Sequence, residues 1–152
     1  MRVHGGTQAD IKKGQINMKW AIRDLLNPVV TRSMLYGSDP FDIEYILKQV
    51  DAIDKMSGKK IQEVWIGEWN KKIAHYSELR DKAEARGNRI SARAYAKLVT
   101  ECHYACFMVN IQDLEHKTVI YNGLVDSYKK YISLCDNKIE QMEIETAFGK
   151  LA

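Results

Sequence analysis

Proline is nearly missing from this sequence. Only Pro28 and Pro40 occur in 152 residues, and no segment is of low complexity, which argues against long disordered stretches. Cysteine is also sparse. Cys102, Cys106 and Cys135 form an odd and small set, unlike the even, dense framework of a disulfide-stapled secreted domain. No apolar run approaches the roughly 18 residues needed to span a membrane. Residues 1–15, MRVHGGTQADIKKGQ, contain no apolar core of a signal peptide, so the cytoplasm is the default location. One-sided charge is lacking too. The formal net charge is +3, from 23 basic and 20 acidic residues of interspersed sign, which gives no footprint for nucleic acid. Three chemical signatures are absent as well: the Gly-x-Ser-x-Gly elbow, the phosphate-binding glycine loops and the His-Glu-x-x-His metal motif.

What remains is the composition of one globular domain, 45% hydrophobic and 28% charged. A chain of this length buries roughly 70% of its unfolded surface when it folds. Residues 1–16 are polar and are expected to be flexible. Helical periodicity then dominates 17–135. A first segment starts at Asn17 with Trp20, Arg23, Leu25 and Leu26 on one face, is broken or kinked at Pro28, and resumes up to Gly37. A second has Asp39 as N-cap, Pro40 at its first position and Asp42 in its first turn, followed by Ile43, Ile46, Leu47, Val50 and Ile53 at helical spacing. Residues 57–60, SGKK, are expected to be a loop. The third is a long helix over 61–86, its covered side marked by Val64, Trp65, Trp69, Ile73, Tyr76 and Ala83, with a stop at Gly87. Ser91 caps the next helix, whose inner stripe is Ala92, Tyr95, Val99, Cys102, His103 and Cys106. The last begins at Asp113 and turns Leu114, Val119, Ile120, Leu124, Tyr128 and Tyr131 inward. Short connections favour antiparallel neighbours.

At 138–152, KIEQMEIETAFGKLA, the period changes. Met142-Glu143-Ile144-Glu145 alternates with period two, as a half-buried strand does, and TAFGK is a turn. A lone hairpin arm is unstable in water. Met142, Ile144 and Phe148 are therefore expected to need neighbours that the helices do not supply.

Few residues suggest chemistry. Cys102 and Cys106 lie one turn apart with His103 beside them and could form half a metal site, completed by Cys135, His75 or His116. They fall on the inner stripe, so packing is the favoured reading and no metal is assigned. Trp65 and Trp69 are also one turn apart, and such a pair lines either a pocket or a helix crossing, the crossing being favoured. His4, His75, His103 and His116 are scattered, and none has a nucleophile at a readable spacing. Glu68 to Lys72 and Glu78 to Lys82 are surface pairs worth a few tenths of a kcal/mol each.

The order of these features is similar to a known family. RSMLYGSDPFDIEYIL at 32–47 resembles the entry into the helical N-terminal region of FrsA-like α/β-hydrolases. The segment from VWIGEW at 64–69 onward resembles the next part of that helical region, through Trp65, Trp69, Ala74, Ala83, Gly87, Ser91, Ala92, Tyr95 and Ala96. IEQMEIETAFGKLA resembles the first strand and turn of the hydrolase sheet. The family includes esterase-like enzymes and carbon–carbon bond hydrolases acting on ketones. The resemblance implies a helical cap over 17–135, the start of a sheet domain at 136–152 and a tendency to dimerise. The family's Ser, Asp and His triad lies in the sheet domain, so the resemblance carries no catalytic residue, cofactor or metal onto this chain. Tyr36, Trp65 and Trp69 are the candidates for substrate contact. The partners implied are the hydrolase domain, a second copy of the chain and a small ketone or ester, with no nucleic acid and no membrane. The alternative is a stand-alone tetratricopeptide-like interaction module, favoured by the hairpin over 69–109 but showing no repeat near 34 residues. The fold expected on either reading is all-α, about five helices in antiparallel hairpins, with a short C-terminal β segment.

Overall fold

The computed structural model describes residues 18–52, 58–110, 114–137, 139–140, 142, 144–147 and 149–151. The expectations placed on 1–17, Ile53, Asp113 and Phe148, and on the side chains of Trp20, Arg23 and Leu25, lie outside the described residues. The architecture is all-α. The helices are α1 (Met18–Tyr36), α2 (Pro40–Asp51), α3 (Gly58–Ala85), α4 (Arg89–Val109) and α5 (Leu114–Ser133). Two short strands complete the order, β1 (Ile144–Thr146) and β2 (Gly149–Leu151). Among the described residues, no helix is long and apolar enough to cross a membrane.

Local signals place the helix ends. The Asp39 carboxylate accepts the Phe41 N–H at 2.8 Å and Pro40 opens α2, as the sequence requires. At the end of α1, Gly37 takes a φ of +99° while the Ser38 N–H bonds to the Ser33 carbonyl at 2.9 Å and the Gly37 N–H to that of Met34 at 3.1 Å. Gly87 (φ +70°) and Asn88 repeat that arrangement on Glu84 and Ala83, both at 2.9 Å. Both are six-to-one closures that need a left-handed residue, which glycine adopts without Cβ strain.

Several expectations need correction. Glu68 pairs with Lys71 at 2.6 Å rather than with Lys72, which pairs with Asp42. Helix α1 runs through Pro28 without a break. Residues 58–60 belong to the first turn of α3 rather than to a loop. The N-cap of α4 is Asn88, whose side chain accepts the Ser91 N–H at 3.1 Å, so Ser91 is already inside the helix. In α5, Leu114, Val119 and Tyr128 are exposed, and its buried residues are Ile120 and Ser127. Among the described residues α5 packs mainly on α4, so a narrower stripe than the sequence suggested meets the core.

The core is built around α4. Helices α3 and α4 make the most extensive pair and run antiparallel: Trp65 near the start of α3 meets Ala105 late in α4, while Ala83 packs with Ala92 and Ala96. Helix α5 lies antiparallel on another side of α4, and Arg89 at the start of α4 donates to the carbonyls of Leu134 and Cys135 just past the end of α5. Helices α1 and α2 pack on α4 and α3 respectively. The largest buried apolar side chains are Trp65, Trp69, Leu26, Ile43 and Ile46.

The period-two segment forms two strands rather than one arm. β1 and β2 pair antiparallel, with Ile144 opposite Leu151 and Thr146 opposite Gly149. Among the described residues, no helix makes more than a marginal contact with this hairpin. Met142 and Ile144 remain 71% and 57% exposed.

Candidate functional site

Asp42 sits in the first turn of α2, where the helix dipole favours an anion, and it is buried. Lys72 and Tyr76, one turn apart on α3, share its carboxylate. Lys72 Nζ lies 2.5 Å from Oδ1, and the Tyr76 hydroxyl donates to Oδ2 at 2.6 Å. Burial first, and then this hydrogen bond, drive the Tyr76 phenol far above its ordinary pKa. The Tyr76 ring stacks on Tyr95 at 6.5 Å between centroids. Each carboxylate oxygen already has a partner and the phenol holds its proton, so the group is a clamp between α2 and α3 rather than a base or nucleophile.

Cys102 and Cys106 are buried. Burial raises both thiols, that of Cys106 to about 12, so neither is an activated nucleophile near neutral pH. Among the described residues, no three His, Cys, Asp or Glu side chains converge as a metal site.

The third polar setting is the corner between the end of α1 and the middle of α4. Lys97, Glu101 and Tyr104 succeed one another along α4 at spacings of four and three. Lys97 Nζ lies 3.1 Å from where a Cβ on Gly37 would stand. The Tyr104 ring meets the edge of Tyr36 at 5.6 Å. The Ser33 and Ser38 hydroxyls are buried at this helix end without a hydrogen-bond partner among the described residues. Burial pushes the Glu101 carboxyl up to about 7, and Lys97 only partly offsets it. Glu101 is thus the carboxyl best poised to exchange a proton near neutrality. Sequence reasoning misses it. Its available signal is weak: a carboxylate one turn after a lysine, flanking an apolar stripe.

The sign of its effect on stability comes from that rise. Below the unfolded value of 4.5 the carboxyl is neutral in both states. As pH climbs to about 7 the unfolded chain ionises first, and stability is lost. Glu101→Gln should therefore leave stability at pH 4 unchanged and raise it at pH 8 by about 1–2 kcal/mol, after allowance for solvent screening. Urea unfolding at the two pH values measures this, and an equal effect at both would contradict it.

A cleft of about 430 Å³ opens beside the end of α5, lined by Arg93, Tyr131, Cys135, Asp136, Asn137 and Ile139. Its charges are internally matched, since Arg93 Nη1 bonds to Asp136 at 2.7 Å.

The three residues marked by the sequence separate. Tyr36 is exposed at the end of α1. Trp65 and Trp69 are 0% and 1% exposed, edge to face at 5.8 Å, so in this conformation neither offers a surface to a ligand. Tyr36 contacts Tyr104, while Trp65 donates to the carbonyl of Ala105 at 3.0 Å. Comparison with protein-family models, with curated proteins and with solved structures finds no match to this chain.

Proposed function

We propose that this chain is the helical cap of an FrsA-like α/β-hydrolase, an access and dimer-forming region that leaves ester or carbon–carbon bond hydrolysis to a sheet domain. The observation that carries the proposal is the hairpin, a β element with exposed Met142 and Ile144 and, among the described residues, almost no helical cover. Such a pair of three-residue strands is marginal in water and gains stability by joining a larger sheet. The ordered motifs at 32–47 and 64–96 supply the second support. A cap acts by excluding bulk water and by giving the substrate an apolar wall. Tyr36, exposed like Leu35 and Phe41, would contribute to such a wall, and Trp65 and Trp69 would stiffen it from within the core. The substrate class is a small ketone or ester.

An antibody raised against this chain, used on cell extracts treated with a fluorophosphonate probe for serine hydrolases, tests the proposal. A labelled, antibody-reactive protein longer than 152 residues is expected. An antibody-reactive protein that resists the probe would overturn it and leave the tetratricopeptide-like interaction module as the reading to pursue.

A further inference from the structure

Helix α5 is held to the rest of the molecule in two different ways. Its C-terminal end is held by permanent charges: Arg89 on the carbonyls of Leu134 and Cys135, Arg93 on Asp136, and Lys130 on Glu84 of α3 at 2.7 Å. Its middle is held by rings. Phe107 meets Tyr121 at 5.8 Å, and one turn earlier on α4 the His103 imidazole presses on α5 at Gly123. A Cβ at Gly123 would stand 2.8 Å from His103 Cε1 and 3.0 Å from Nδ1, so the ring occupies the space that any other residue would fill. Glycine in a helix interior costs about 1 kcal/mol relative to alanine, and here its presence admits the imidazole.

We propose that His103 is a proton-sensitive latch: neutral, its ring seats the middle of α5 on α4, and protonated, it loosens that seat while the charged end stays attached. Burial lowers the His103 pKa, and Asp126 of α5 opposes this only in part. Asp126 is the charged group acting on the ring; none from α1 or α3 does so among the described residues. Because the folded value lies below the unfolded 6.5, the unfolded chain takes up the proton first, and stability falls as pH drops through 6.5.

Hydrogen exchange of the full chain at pH 7.5 and 5.5, corrected for intrinsic rates, tests the latch. Protection over 114–126 should fall severalfold more than protection over α3. His103→Gln should abolish that selective fall. Asp126→Asn, at an exposed position, should enlarge it by removing the partial offset. A selective fall that persists in H103Q, or one that D126N leaves unchanged or diminishes, would overturn the proposal, as would equal loss in α3 and α5 of the unaltered protein.

Discussion

Replacing Trp65 with alanine is expected to remove about 3–5 kcal/mol of stability, the largest loss of any single truncation in this chain. The indole is wholly buried, packs edge-on against Trp69 and bonds through its N–H to the Ala105 carbonyl at 3.0 Å. It therefore fastens α3 to α4, the pair on which the other helices rest. Trp69 is equally buried, but its N–H has no hydrogen-bond partner among the described residues. Substitution by phenylalanine separates the two contributions. Trp65→Phe loses ring area and a hydrogen bond, whereas Trp69→Phe loses similar area but also removes an unsatisfied buried donor, which itself costs roughly 1–3 kcal/mol. Trp65→Phe should be the more destabilising by about 1 kcal/mol or more in urea unfolding. Equal losses would mean that the Ala105 bond contributes nothing. A cooperative transition is required for the comparison, and far-UV circular dichroism checks it.

Most of the helices are legible in the sequence because their apolar stripes are long and their stops are chemically specific. Asp39-Pro40 and Gly87-Asn88 are local signals, and local signals survive into the fold. The errors arise where tertiary packing overrides pattern. Ser91 is a good cap by type, but Asn88, right after the glycine turn, starts the helix three residues earlier by accepting the Ser91 N–H. Pro28 lies mid-way along α1, where pattern alone suggests a break, yet the helix continues. Val119 and Tyr128 look inward by composition, but among the described residues α5 packs mainly on α4 and leaves both exposed. The polar settings are harder to see, because they join residues distant in sequence. Asp42 meets Lys72 and Tyr76 across 30 and 34 positions, and no spacing rule links them. Glu101 gains its raised pKa from burial, which only the assembled fold reveals.

Asp42→Ala is the second large perturbation, expected to cost about 2–3 kcal/mol. Truncation strips both partners at once: the Tyr76 hydroxyl loses its acceptor in a buried setting, and Lys72 loses its counter-ion. The figure lies below that for a fully buried pair because the Lys72 side chain keeps 27% of its exposure, and water can re-solvate its ammonium. Asp42→Asn should cost about half as much, since an amide oxygen still accepts from Tyr76 but no longer attracts Lys72. Tyr76→Phe should cost about 1 kcal/mol, because it removes a donor and leaves the Asp42–Lys72 pair in place. If the three groups act as one clamp, the losses of Asp42→Ala and Tyr76→Phe will not add, and the double variant should fall short of their sum by about 1 kcal/mol. Strict additivity would show that the hydrogen bond contributes no coupling. The loss should also be local. Amide exchange in α2 should accelerate more than in α4, because α2 reaches the core through Ile43, Ile46 and Val50 and is fixed to α3 at its start by this carboxylate.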